Sequence, residues 1–389
     1  MRVLKKTRAM DSTPDWPTAA AVPSGLEAQS PEWLDDRKEL RSVVATFGPH
    51  EIVGKTGEVY QMQNVLGSGT FGRVSRGVRV SDGLPVAIKF SSKRKDALHE
   101  AEMMTYITSR GAEGVVKLLD GPIEGPSNGI YTVMDLVQSE GEDSPASTLR
   151  EYIELLAENQ STLEARRDDM MVLSEDILAF MQQLARIMLG LHRICVVHND
   201  LKPNNIMVRE QTVQLLLIDF GLSCFAPGCR PRDSAHSMGL EFLCKPNRVG
   251  NSAYVPPEIR TGWVSPTQYD YDYTKIDCYA VGMVFMDMVT GEFSWNRSKA
   301  YLAAMNTASR DRRIAEIYSG TRELDELIAD LIDDNPARRI SLAEASDRLA
   351  SVRLRDPLPI LTGRGAINGG TFTGPTPNPY PLEDISEEV

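Results

Sequence analysis

Val197-His198-Asn199-Asp200-Leu201-Lys202-Pro203-Asn204-Asn205, followed by Leu217-Ile218-Asp219-Phe220-Gly221, is the part of this 389-residue sequence that decides its fold. Between the two stretches, the apolar runs Ile206 to Val208 and Val213 to Ile218 flank a turn at Arg209 to Thr212. They read as a hairpin buried on both faces. Asp200 is a carboxylate that can accept a hydroxyl proton, while Asn205 and Asp219 can hold a metal ion across the hairpin.

Upstream, Gly67-Ser68-Gly69-Thr70-Phe71-Gly72-Arg73-Val74 fits the spacing GxGxxGxV. Glycine lets backbone N–H groups approach phosphates closely. Here the glycines end one expected strand, Val59 to Val65, and begin the next, Arg73 to Val80. That suits a phosphate-covering hairpin and not a strand-to-helix dinucleotide loop. Asp82-Gly83 is a hairpin turn signal leading to a third strand, Leu84 to Phe90, which carries Val86-Ala87-Ile88-Lys89. A lysine at a strand end is ordinarily a solvated surface residue. Held at phosphates it needs a carboxylate partner, and the helical stretch Lys95 to Thr108 offers Glu100, with Glu102 as the alternative. Val115 to Leu119 and Ile130 to Val137 complete the strands.

Beyond Val137 the pattern turns helical. Thr148 to Glu158 is a helix candidate, Gln160 to Met171 a charged connector, and Ser174 an N-cap for a helix striped by Ile177, Phe180, Met181, Leu184, Ile187, Met188 and Leu191. Tyr273 to Thr290 is apolar nearly all round and stops at Gly291, the pattern of a buried central helix. Residues 1–57 are read as an extension holding at most a short helix, Pro31 to Val44, and residues 353–389 as a disordered tail.

The order GxGxxGxV, VAIK, helix Glu, HxDLKxxN and DFG resembles a protein kinase over residues 58–352. Gly250-Asn251-Ser252-Ala253-Tyr254-Val255-Pro256-Pro257-Glu258 is similar to the family's segment ending in APE, with Arg339 matching the arginine that pairs with its glutamate. The resemblance implies a two-lobed α+β fold: a small antiparallel β lobe with one helix (58–137) and a larger, mainly helical lobe (138–352). ATP and magnesium are the implied cofactors. Gly67, Gly69 and Gly72 would cover the phosphates; Lys89, held by Glu100, would contact the α- and β-phosphates; Asn205 and Asp219 would bind the metal. Asp200 would accept the substrate proton and Lys202 would neutralise the transferring phosphoryl group. Val74, Ala87 and Met207 would sandwich adenine. Met134 would be the gatekeeper, with Asp135 to Val137 offering backbone hydrogen bonds. The implied reaction is transfer of the γ-phosphoryl group of ATP to Ser/Thr hydroxyls of protein substrates. The competing readings are a small-molecule kinase of the aminoglycoside or choline type, where His-Asn-Asp also occurs, and a pseudokinase scaffold, whose usual mark is a lost metal ligand or proton acceptor.

Three features depart from the family. Asn199 stands where an arginine usually gathers an activation-loop phosphate, which predicts activity without that phosphorylation. Asn251 and Ser252 stand near the usual threonine, leaving Lys202 as the main mark of Ser/Thr specificity. The stretch Asp219 to Glu258 is long and holds Cys224, Cys229, His236 and Cys244, which could bind zinc or join by oxidation; the expected state is a plain mobile loop. Five cysteines, odd in number and irregularly spaced, predict a reducing compartment, cytoplasm or nucleus, and no disulfide framework. Lys+Arg 42 against Asp+Glu 54, a net charge of −12, argues against direct nucleic-acid or anionic-membrane binding. No apolar run reaches the roughly 20 residues of a spanning helix.

Overall fold

The computed structural model describes residues 51–69, 72–138, 146–158, 167–227, 229, 242–262, 271–294, 296 and 308–362. The expected helix at Pro31 to Val44, residue His236 and the tail from 363 lie outside them. Six antiparallel strands form the small lobe: β1 (Glu51–Val53), β2 (Val59–Gly69), β3 (Gly72–Arg79), β4 (Pro85–Ser91), β5 (Leu118–Glu124) and β6 (Ile130–Asp135), in the order β1-β2-β3-β4-β6-β5. Helix α1 (Arg94–Ser109) follows β4. Tyr60, Val86, Ile88, Ile123 and Val133 form a small core of their own, because alternate residues of these strands face one side.

Two strand expectations shift. The boundary expected after residue 57 cuts through a hairpin, since β1 pairs with β2 from Glu51↔Gln61 to Val53↔Val59. A three-residue strand carries too little alternation to be read locally, and Asp120, far along the chain, anchors the turn by accepting from Lys55 N and the Thr56 hydroxyl. The strand expected from Val115 instead runs from Leu118. Val116 N donates to the Leu217 carbonyl (2.9 Å) and Leu217 N to the Gly114 carbonyl (2.8 Å), a backbone stitch between the lobes.

In the large lobe, β7 (Ser147–Thr148) and α2 (Leu149–Glu158) lead to α3 (Arg167–Arg193). Ser174 is no N-cap: it lies inside α3, where its Oγ donates to the Met170 carbonyl and accepts from Leu358 N. Asp168 and Asp169 supply the acidic first turn about two turns earlier, and Leu173 extends the buried stripe backwards. After β8 (Val196–Val197), the hairpin β9 (Ile206–Arg209) and β10 (Gln214–Leu217) forms with Ile206 opposite Leu217. Then come β11 (Cys224–Phe225), antiparallel to β8, and α4 (Pro257–Arg260). Helix α5 (Thr274–Thr290) is buried over almost its whole length and ends at Gly291 as its pattern predicts. Helices α6 (Arg310–Ile317), α7 (Arg322–Leu331), α8 (Leu342–Ser351) and α9 (Pro359–Thr362) pack around it. Structure thus continues beyond residue 352; Ile360 and Leu361 of α9 are buried in the main core although the surrounding composition is rich in Pro, Gly and Thr.

Candidate active site

Strand β4 of the small lobe positions Lys89. Its side chain points to the lobe interior, and both Glu100 carboxylate oxygens accept from Nζ at 2.7 Å. Asp219 Oδ1 accepts from the same ammonium at 3.3 Å. Glu100 is buried and Glu102 is exposed, so Glu100 is the partner. Burial alone would lower the lysine's pKa, but the carboxylates of Glu100 and Asp219 outweigh it and the net shift is upward. Burial pushes Asp219 up, and the Lys89 ammonium overturns that, leaving Asp219 below the usual carboxylate range. Glu100 itself is raised, with burial its largest cause. The bidentate contact keeps Lys89 and Glu100 an ion pair.

Asp200 is the centre of a second cluster. Lys202 Nζ donates to its Oδ2 at 2.6 Å, Asn205 Nδ2 to the same oxygen at 3.1 Å and to the Asp200 carbonyl at 2.8 Å, and Asn251 N to Oδ1 at 3.1 Å. Gly250 is required beside it: a Cβ there would sit 1.8 Å from Asp200 Oδ1. The loop is fastened from behind by the buried Asp277 of α5, which accepts from His198 N (2.8 Å), Asn199 N (2.9 Å) and His192 Nε2 (2.9 Å). The two clusters adjoin, because Ile218 N donates to the Asn205 carbonyl at 2.9 Å, one residue before Asp219. Asp219 has φ +65°, a left-handed conformation that turns its carboxylate towards Lys89.

The remaining predicted residues fall around these clusters. Gly67 lies opposite Val74, Gly69 opposite Gly72, and Val74 opposite Lys89, so the glycine turn is the end of the β2–β3 hairpin. Gly72 tolerates no side chain, since its φ is +133° and a Cβ would meet the Phe90 carbonyl oxygen at 2.1 Å. Ala87 lies opposite Met134, and Met207 sits on β9 opposite Leu216. Asp135 N donates to Lys117 O and the Val137 carbonyl accepts from Ala146 N, which fixes the backbone that follows β6.

The segment from Asp219 to Glu258 corrects the reading of the cysteines. Cys195 is bonded to Cys229 and Cys224 to Cys244, leaving only Cys278 as a free thiol, buried. Spacing along the sequence gave no sign of these pairs, because β8 against β11 brings Cys195 towards Cys229, and a bridge between Phe225 and Leu243 brings Cys224 to Cys244. Paired sulfurs are not zinc-binding thiolates, and among the described residues no group of three or more His, Cys, Asp or Glu is arranged to hold a metal. Asn199, where an arginine was expected, has φ +67°; its amide nitrogen donates to the carbonyls of Arg248 and Leu222. The segment's far end is anchored by Arg339, whose Nη1 and Nη2 donate to the two Glu258 oxygens at 2.8 and 3.0 Å. Asn251 uses its side chain to accept from Ala253 N.

Gly250, His99 and Ser223 escaped the sequence reading. Gly250 alone had a local signal, a glycine at the head of the segment that ends in Glu258. Among the described residues no helix is long and apolar enough to cross a membrane.

A lysine–glutamate pair reached by the Asp219 carboxylate, beside a lysine-bound aspartate on a loop, between an antiparallel sheet and a helical lobe, is the arrangement of a protein-kinase fold. The chain belongs to the protein kinase family: the model of the protein kinase domain matches residues 60–349. It is 26% identical over 307 residues to CBL-interacting protein kinase 22 of Oryza sativa subsp. japonica, covering 74% of this chain and 60% of that one. It is 27% identical over 297 residues to serine/threonine-protein kinase cds1 of Schizosaccharomyces pombe, covering 74% and 57%. A putative ribosomal protein S6 kinase alpha-2 of Caenorhabditis elegans is 24% identical over 290 residues, 72% of this chain and 34% of the relative. The chain thus spans about three-fifths or less of the length of these relatives.

Proposed function

We propose that this protein transfers the γ-phosphoryl group of ATP to serine or threonine hydroxyls of protein substrates. The observation that carries the reading is the adjacency of the Lys89–Glu100–Asp219 and Asp200–Lys202–Asn205 clusters. Lys89, held by Glu100, binds the α- and β-phosphates, and Gly67, Gly69 and Gly72 let the β2–β3 turn lie close over them. Val74, Ala87 and Met207 clasp adenine, next to Met134 and the backbone of Asp135 to Val137. Asp200 takes the proton of the attacking hydroxyl, and Lys202 offsets charge on the phosphoryl group.

Magnesium fits the residues present: Asp219 offers a carboxylate, and Asn205, whose amide nitrogen is committed to Asp200, turns its carbonyl oxygen the other way. Asp219 and Asn205 would hold the ion, which would supply positive charge against the phosphates.

A relative named as a serine/threonine-protein kinase supports a protein substrate over an aminoglycoside or choline, and the presence of Lys89, Glu100, Asp200, Lys202, Asn205 and Asp219 in the chain opposes a pseudokinase. The fewness of cysteines that suggested cytoplasm or nucleus loses force now that four of them pair. Incubation with γ-labelled ATP, magnesium and a degenerate peptide array tests the proposal. Labelled serine or threonine peptides are expected, and Asp200→Asn should abolish transfer while nucleotide binding persists. An unlabelled array with no self-labelling would overturn it.

A further inference from the structure

Glu100 reaches Lys89 only if α1 is held against the sheet, and the residue beside it, His99, makes the contact that does so. His99 is buried; its Nε2 donates to the Ser223 carbonyl at 2.7 Å, and its ring stacks on Phe242 with centroids 4.7 Å apart and planes 8° from parallel. The two contacts come from residues well separated in the segment after Asp219, Ser223 near its start and Phe242 well along it. What keeps those ends together is the Cys224–Cys244 disulfide: Cys224 directly follows Ser223, and Cys244 lies two residues after Phe242. Cys244 N also donates to the Phe225 carbonyl at 3.0 Å. The second disulfide, Cys195–Cys229, fastens the same segment to the strand that leads into the Asp200 loop.

We propose that His99 is a positioning residue for phosphotransfer, and that the Cys224–Cys244 bond, by presenting Ser223 and Phe242 to it together, makes that transfer depend on the oxidation state of the pair. The inference rests on the phosphotransfer reading above. The chemistry is thiol–disulfide exchange with a dithiol reductant. A reductant thiolate attacks one sulfur, the protein S–S bond breaks, and the reductant's second thiol resolves the mixed disulfide. The protein gains two thiols and two electrons, the reductant leaves as its disulfide, and its two thiol protons balance the two new ones. Cys229 is half-buried, whereas Cys224 and Cys244 are buried, so the Cys195–Cys229 bond is the more accessible of the two to the reductant.

The test uses the full chain, oxidised and then reduced by dithiothreitol, with thiols counted by alkylation and mass. Peptide phosphorylation and amide hydrogen exchange of α1 are read in each state. Reduction of both pairs is expected to lower kcat at least about tenfold, to speed α1 exchange, and to be reversed by reoxidation. His99→Ala is expected to have the lower kcat in both states, while His99→Gln, whose amide can still donate to the Ser223 carbonyl, keeps much of the oxidised rate. Equal kcat and equal α1 exchange in the two states, with thiols fully counted, would overturn the inference; so would an unaltered redox response in His99→Ala. A response that survives Cys224→Ala/Cys244→Ala but vanishes in Cys195→Ala/Cys229→Ala would assign the effect to the other bond and overturn it too. If neither state phosphorylates anything, the phosphotransfer reading fails instead, and α1 exchange alone still decides the coupling.

Discussion

Replacing Arg339 with leucine removes the charge that Glu258 depends on. Arg339 is wholly buried and makes five hydrogen bonds: two to Glu258, two to the Asp333 carbonyl and one to the Lys275 carbonyl. In the variant, Glu258 keeps only the Tyr271 hydroxyl, 2.7 Å away, in a setting that exposes 1% of its side chain. Breaking one side of a buried ion pair destabilises by about 3–5 kcal/mol, since the remaining charge stays desolvated. Against a total of about 5–15 kcal/mol that is roughly a fifth or more of the stability. At about 2–4 °C per kcal/mol for a domain of this size, Tm should fall by about 6–20 °C. Thermal unfolding followed by circular dichroism measures it. The double variant Glu258→Leu/Arg339→Leu should be no less stable than Arg339→Leu, because the stranded carboxylate is gone. A Tm loss in Arg339→Leu below about 3 °C, or a double variant that sums the two single losses, would refute the reasoning.

The pH dependence of the Lys89 cluster has two edges. Lys89 is raised, so its contribution is complete below the usual lysine value and is lost as pH rises through the raised one; Asp219 is lowered, so its contribution is complete above the usual carboxylate range and is lost as pH falls through the lowered one. The stability difference between the unmutated chain and Lys89→Met should therefore be flat near neutrality and shrink at both extremes, as paired melting curves across pH will show. Burial pushes the Cys278 thiol up to about 12, so iodoacetamide at pH 8 should label no cysteine of the native oxidised chain, and mass spectrometry should find five labels after reduction in denaturant. Phosphatase treatment should leave kcat within about twofold, because Asn199 already bonds the Arg248 and Leu222 carbonyls and offers no charge to a phosphate.

The glycine turn, the strand carrying Lys89, the Asp200 loop, the Asp219 hairpin and the buried α5 were all legible in the linear chain. Each depends on short-range rules: glycine where a side chain would clash, alternation in strands, an apolar surface all round a central helix. The choice of Glu100 over Glu102 needed the packing of α1, since both sit on one helix and only burial against the sheet separates them. Ser174 misled because a serine before acidic residues looks the same at a helix start and inside a helix whose acidic turn comes earlier. The Arg339–Glu258 pair was carried by the resemblance alone, whereas the disulfides and the His99 contact join residues far apart in sequence, 34 and 20 residues for the two S–S bonds. Such partners are selected by closure of the whole chain, where β8 meets β11 and α1 meets the segment after Asp219, and no local pattern encodes that meeting.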